Sequence, residues 1–217
     1  MKYLAEMVRD IKKVINEAGD EEEVLLITED KVNLDLYIEE ALSSSVLFFQ
    51  RNMPATTINM KAALSGERAG AEGMDCHVID VPEDYVRLVR LKMKSWRRAC
   101  VTTFPVGGEE WKRQQNPHTR AKLWKPVCIE DVNNKGKRVL RCYGVGYQDG
   151  GTIDDFVYEA KFNVEEGLNV TDENLYKAIL YKAASLVYAI YQDSQSSALL
   201  EREAYKMIGL NMNSGET

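Results

Sequence analysis

The chain has only two histidines, four cysteines and five prolines in 217 residues, and it contains no long apolar run. Each scarcity removes a class of protein. The longest apolar stretches, 24–27 and 46–49, fall far short of the roughly 20 residues that a membrane-spanning helix requires, so a soluble chain is expected. The opening residues reach Arg9, Asp10, Lys12 and Lys13 within one short helix length, which predicts no apolar signal-peptide core and no secretion. Cys76, Cys100, Cys128 and Cys142 are widely spaced and form no C-x-x-C pair, so they read as buried, reduced thiols rather than a disulfide framework. Cys76 and His77 are adjacent, but neither His77 nor His118 stands at a recognised zinc-ligand spacing, and no metal is expected.

Catalytic signatures are missing as well. There is no G-x-S-x-G elbow, no H-E-x-x-H and no G-x-x-x-x-G-K-[ST] loop. Gly144, Gly146, Gly150 and Gly151 read as a hairpin turn rather than a phosphate loop, because a strand and not a helix follows them. Asp154 with Asp155, and Glu165 with Glu166, are adjacent acidic pairs. Neighbours along a strand point to opposite faces, so neither pair suits cooperative acid-base work. Neither enzyme activity nor a cofactor is expected.

What the chain does have is an uneven distribution of charge. Residues 1–75 carry 8 Lys and Arg against 15 Asp and Glu, 76–147 carry 15 against 7, and 148–217 carry 5 against 12. A net charge of −6 therefore conceals a basic centre between acidic flanks, an arrangement that lets copies of one molecule attract each other. The same blocks also arise when acidic helices cover a basic sheet.

Periodicity divides the chain along similar lines. Leu4, Met7, Val8, Ile11, Val14 and Ile15 recur at helical spacing, with Gly19 as a stop. A second helix is expected from about 28–33 to 51, with Leu34, Ile38, Leu42, Val46 and Phe49 on one stripe, Ser43, Ser44 and Ser45 as a weak point, and Pro54 beyond its end. Glycines and small residues then predict a flexible loop or arm over 56–75. Strands follow at 77–81, 85–96, 99–104, 123–130, 137–146 and 153–163, with turns at Asn133, Asn134, Lys135 and Gly136 and at Asp149, Gly150 and Gly151. In the last strand Phe156, Tyr158, Ala160 and Phe162 alternate with Asp155, Val157, Glu159 and Lys161, giving one core face and one wet face. Thr171 or Asp172 caps a long helix with a stripe at Leu175, Ile179, Ala183, Leu186, Val187 and Ile190, and a shorter helix spans about 196–208. The resulting expectation is an α+β fold, a helical bundle of about four helices with an antiparallel β insertion in the middle of the chain. Residues 1–55 supply the N-terminal helices, 76–168 the insertion, built as a meander, and 169–217 the C-terminal helices and tail.

The strand at 85–96 places Arg90, Lys92 and Lys94 on one face and Val89, Leu91 and Met93 on the other, with Arg87 before them and Arg97 and Arg98 after. Like charges on one face are costly unless water, a carboxylate or a polyanion screens them. Three readings stay open: a solvated sheet face, a contact for an acidic surface on another subunit, or a contact for DNA phosphate. Sequence-specific nucleic-acid recognition is not expected, since no helix combines basic residues with a groove-reading pattern.

The stretch Pro82, Glu83, Asp84, Tyr85, Val86, Arg87, Leu88, continued by Lys94, Ser95, Trp96, Arg97, Arg98, Ala99, Cys100, Val101, resembles a pattern in virion structural proteins of tailed bacteriophages. Residues 113–120 and Trp124, Lys125, Pro126, Val127 are similar to its continuation. With paired helices on either side of a β segment, the chain resembles the head-to-tail connector (adaptor, ring or neck) proteins of short-tailed phages, including crAss-like phages. The resemblance implies a non-enzymatic structural protein that forms a homo-oligomeric ring, typically of twelve copies, beneath the portal protein. It implies a place at the head-to-tail junction of the virion, assembly in the host cytoplasm, contacts with portal and downstream tail or neck proteins, and a part in genome packaging, DNA retention and ejection. It further implies a tail reaching the portal, here Asn211, Met212, Asn213, Ser214, Gly215, Glu216 and Thr217. Segregated charge suits a ring, in which one side of each subunit meets the opposite side of the next. A tail-fibre-associated or receptor-binding module would show trimeric β repeats, and none is visible. A small enzyme would need a convergent polar pocket for which the sequence nominates no residues. Residues 66–75 and 211–217 have too few apolar side chains to offset an ordering cost of roughly 1–2 kcal/mol per residue, so they are expected to order only against a neighbour.

Overall fold

The computed structural model describes residues 1–18, 31–53, 58–72, 76–146 and 151–209. Gly19 as a helix stop, the beginning of the second helix before Lys31, Pro54, the Asp149 and Gly150 turn, and the tail 211–217 lie outside the described residues. The chain divides into two compact units, one made of Met1–Asn59 with Lys161–Thr217 and the other of Met60–Ala160.

The helical unit is built around its most apolar helix. Helices α1 (Leu4–Ala18) and α2 (Lys31–Asn52) come from the N-terminal part of the chain. The other two helices of this unit, the last two in the chain, span Glu173–Ile190 and Ser194–Met207. The 173–190 helix buries Tyr176, Ile179, Ala183, Ala184 and Val187, close to its whole circumference, and α1, α2 and the 194–207 helix all pack on it. Asp172 caps it, accepting hydrogen bonds from the Asn174 and Leu175 amides at 2.8 and 3.4 Å. Tyr188 donates to the Ile15 carbonyl at 2.7 Å, satisfying an acceptor near the end of α1. On α2 the stripe Leu34, Ile38, Leu42, Val46 and Phe49 is buried as its spacing predicts. The serines do not break it: Ser43 donates to the Glu39 carbonyl one turn back, and the helix continues.

The β unit contains β1 (Met60–Ala62), β2 (Gly70–Ala71), β3 (Cys76–Asp80), β4 (Tyr85–Met93), β5 (Thr103–Pro105), α3 (Glu109–Gln114), β6 (Val127–Val132), β7 (Arg138–Tyr143) and β8 (Ile153–Ala160). The helices at 173–190 and 194–207 are then α4 and α5.

The expected bundle of about four helices with a single antiparallel insertion is overturned. Among the described residues there are five helices and two sheets, a three-stranded sheet ordered β1-β8-β4 and a five-stranded sheet ordered β2-β3-β7-β6-β5. The strands do not form a meander, because β8 leaves its sequence neighbour β7 and pairs antiparallel with β4 and β1. Burial explains the choice. Both sheets contribute to one apolar core, in which Leu91, Met93, Ile153 and Phe156 from one meet Ile79, Cys128, Leu140 and Cys142 from the other. A single wide sheet would leave those faces in water. The pair β5–β6 is parallel, which requires a long crossover, and the chain from 106 to 126 supplies it with α3 inside. Part of the expected arm over 56–75 is also sheet, since β1 pairs with β8 and β2 with β3.

A polar bolt joins the two sheets. The Tyr85 hydroxyl on β4 and the Thr103 hydroxyl on β5 donate to one Glu130 oxygen at 3.0 and 2.8 Å. Arg138 on β7 lies over the Tyr85 ring, 4.9 Å from its centroid, and donates to the Tyr85 carbonyl at 3.0 Å. Burial and the adjacent Glu130 carboxylate push the Tyr85 phenol well above its ordinary pKa, so it stays a donor.

Candidate interaction surface

The basic strand β4 is screened by its own neighbour. The β4–β8 register sets Arg87 beside Glu159, Arg90 beside Val157 and Lys92 beside Asp155. Arg87 forks onto Glu159 at 2.8 and 3.0 Å, Arg90 pairs with Asp155, and Lys92 pairs with Asp154 at 2.6 Å. Hydrogen bonding from Lys92, with Lys94 also in electrostatic range, holds the Asp154 carboxyl below its ordinary pKa. Asp154 and Asp155, adjacent in sequence, thus act separately, each on a different cation.

Two details of the expected strand faces are corrected. Leu91 and Met93 point inward as predicted, but the register shifts between Leu88 and Arg90, so Leu88 is buried and Val89 only half-buried. On β8, Phe156, Tyr158 and Ala160 are buried as expected, whereas Glu159, expected on the wet face, has no exposure at all. Arg87 of β4, and not solvent, donates to that carboxylate.

Beyond β4 the charges are different. Arg97 and Arg98 are exposed in the loop after the strand, and neither has an ion-pair partner among the described residues. The Arg97 amide donates to the Leu123 carbonyl at 2.9 Å, which joins this loop to the tight turn 122–125. That turn is closed by reciprocal hydrogen bonds between Lys122 and Lys125 at 3.3 and 2.8 Å. Both lysines are exposed, and Trp124 between them has 56% of its surface in solvent, with the Lys122 ammonium 5.4 Å from its ring centroid. Arg98 and Lys125 line one groove of about 280 Å³ with Cys100, Val101, Phe104 and Glu110. Glu110 already pairs with Arg113 at 2.7 Å.

Two glycines seat these loops. Gly144 has φ +79, and a Cβ there would lie 2.8 Å from the Lys122 carbonyl oxygen, so both the conformation and the close approach require glycine. At Gly146 a Cβ would meet the Ser95 side chain at 3.3 Å, and the Gly146 amide donates to the Ser95 hydroxyl at 3.1 Å. Sequence reading placed these glycines in a turn and missed this role, for which local sequence holds no signal.

Of the residues singled out from sequence, the fold therefore ties Arg87, Arg90 and Lys92 into pairs and leaves Lys94, Arg97 and Arg98 at the open end of the strand. It adds Lys122, Trp124 and Lys125 to them.

The thiols and the buried histidine belong to the interior. Cys128 and Cys142 face each other across β6–β7, and Cys100 donates to the Thr102 carbonyl. Burial pushes the Cys76 thiol up to about 11 and the Cys128 thiol well up, so both stay protonated. Burial lowers the His77 pKa, and its ring packs against Gly151. Among the described residues no three His, Cys, Asp or Glu side chains gather as metal ligands, and no helix is long and apolar enough to cross a membrane. Compared with protein-family models and with curated proteins, the chain matches none.

Proposed function

We propose that this chain is a structural virion protein of a tailed phage, one that forms a ring at the head-to-tail junction and helps to retain packaged DNA. The observation that carries the reading is the meeting of its two phage-like stretches. They are separated in sequence, yet 98–101 and 125–127 line one groove, and the Arg97 amide donates to the carbonyl of Leu123, the residue just before Trp124. Parts of the two stretches are thus neighbours in the fold, which supports treating them as one pattern.

Charge supports the same reading. The β unit Met60–Ala160 holds 17 Lys and Arg against 14 Asp and Glu, and the helical unit holds 11 against 20, giving +3 and −9. Pairing within β4–β8 uses up part of the basic centre without reversing the contrast. Units of opposite charge favour head-to-tail association over symmetric pairing, and head-to-tail contacts close into rings.

Immunogold labelling of intact virions tests the assignment. Label at the neck of the particle is the expected result. Label on fibres or the tail tip would favour the tail-associated reading, and absence of the protein from purified virions would defeat both.

A further inference from the structure

We propose that the adjoining loops 95–98 and 122–125 form a binding surface for the phosphodiester backbone of nucleic acid, with Arg97, Arg98, Lys122 and Lys125 meeting phosphates and Trp124 presenting a ring beside them. The proposal deepens the connector reading, in which packaged DNA passes the protein, but its test requires no ring.

Contrast within the β unit supports it. Lys61, Arg87, Arg90, Lys92, Arg113 and Arg138 each reach a carboxylate of the same unit. The fold thus has acidic residues at hand for most strand cations, yet four cations in two touching loops have none among the described residues. Four such charges held together by backbone hydrogen bonds repel each other, and an anion bound between them relieves that repulsion.

Shape narrows the choice of anion. A closed four-residue turn holds its end Cα atoms within about 7 Å, so Lys122 and Lys125 leave one exposed turn side by side, and a chain of phosphates can meet more of these cations at once than a single carboxylate can. The guanidinium fork of Arg98 beside Lys125 suits phosphate oxygens. An exposed indole between cations offers the stacking face that sequence-tolerant nucleic-acid surfaces use. Contacts of these cations with phosphates carry no sequence information, so the surface takes backbone and not base sequence.

The test is fluorescence anisotropy of a labelled 20-base-pair duplex and of a labelled oligothymidylate, titrated with the full chain at 50–200 mM salt. Binding independent of duplex sequence is expected. With four phosphate contacts, duplex affinity should fall roughly 100-fold across that range, following a slope of about −0.9 per contact. The variant Arg97→Gln, Arg98→Gln, Lys122→Gln, Lys125→Gln should lose most of the salt dependence while keeping the wild-type circular dichroism and melting temperature. Trp124→Ala should weaken the single strand about tenfold and the duplex less. The control Arg90→Gln, Lys92→Gln should bind as wild type. No anisotropy change at 50 mM salt, or equal binding by the fourfold variant, would overturn the proposal. If the wild type ignores DNA and the fourfold variant instead loses self-association, the surface serves a second copy; the proposal then fails and the connector reading stands.

Discussion

Arg87 on β4 grips Glu159 on β8 through two hydrogen bonds, 2.8 and 3.0 Å, and the carboxylate it holds has no solvent exposure. Arg87→Ala takes the guanidinium from a carboxylate that water does not reach, so it should cost about 3 kcal/mol or more. Replacing the pair together, Arg87→Met with Glu159→Leu, should recover much of that loss. Urea unfolding of the three proteins checks both statements, and a loss below 1 kcal/mol in the single variant would contradict them.

Arg90 and Lys92 should behave differently, because their pairs with Asp155 and Asp154 are exposed. Arg90→Ala and Lys92→Ala should each change stability by less than about 1 kcal/mol. Their melting temperatures should also respond weakly to salt beside that of Arg87→Ala.

The loops can be disturbed from behind. Gly144→Ala forces a side chain into the left-handed region and against the Lys122 backbone, and it should destabilise by about 1–3 kcal/mol. Gly136→Ala shares the positive φ but meets nothing within 4 Å, so it isolates the conformational part. Denaturation should show Gly144→Ala as the costlier change, and Trp124 fluorescence should shift only in that variant.

Acid sensitivity of the helical unit should trace to Glu201. Burial alone would raise its carboxyl pKa, but hydrogen bonds from Lys182 and the Tyr205 hydroxyl outweigh burial and hold it below the ordinary value of 4.5. A depressed folded-state pKa gives stability that is present above the unfolded value and lost as pH falls through the folded one. Wild-type stability should therefore drop below about pH 4.5 more steeply than that of Glu201→Gln. Urea midpoints measured from pH 7 to pH 3 decide it, and parallel curves would contradict the assignment.

Much of the helical unit was legible because helical burial is a local pattern: Leu34, Ile38 and Leu42 announce the buried face of α2 at fixed spacing, and Asp172 announces the start of α4. The β unit was legible strand by strand but not in its assembly. Nothing in Phe156 or Tyr158 says that β8 pairs with β4 rather than β7, since the preference arises from a core shared by two sheets. The parallel β5–β6 pair and the short α3 in its crossover were missed for the same reason. At the candidate surface, the cations of β4 were visible in the sequence, but their carboxylates were not, because Asp154 and Glu159 reach them only through register. Lys122 and Lys125 join Arg97 through a turn seated on Gly144, a contact between residues distant in the chain.

In the proposed function, copies of this chain close into a ring. Negative-stain microscopy and native mass measurement of the purified protein, alone and mixed with the portal of the same virion, test it most directly at low and high salt. Annular particles of one discrete size, in the presence of the portal or without it and weakened as salt rises, are the predicted result. A chain that stays at its monomer mass of 24.7 kDa with the portal present at every salt concentration would contradict it.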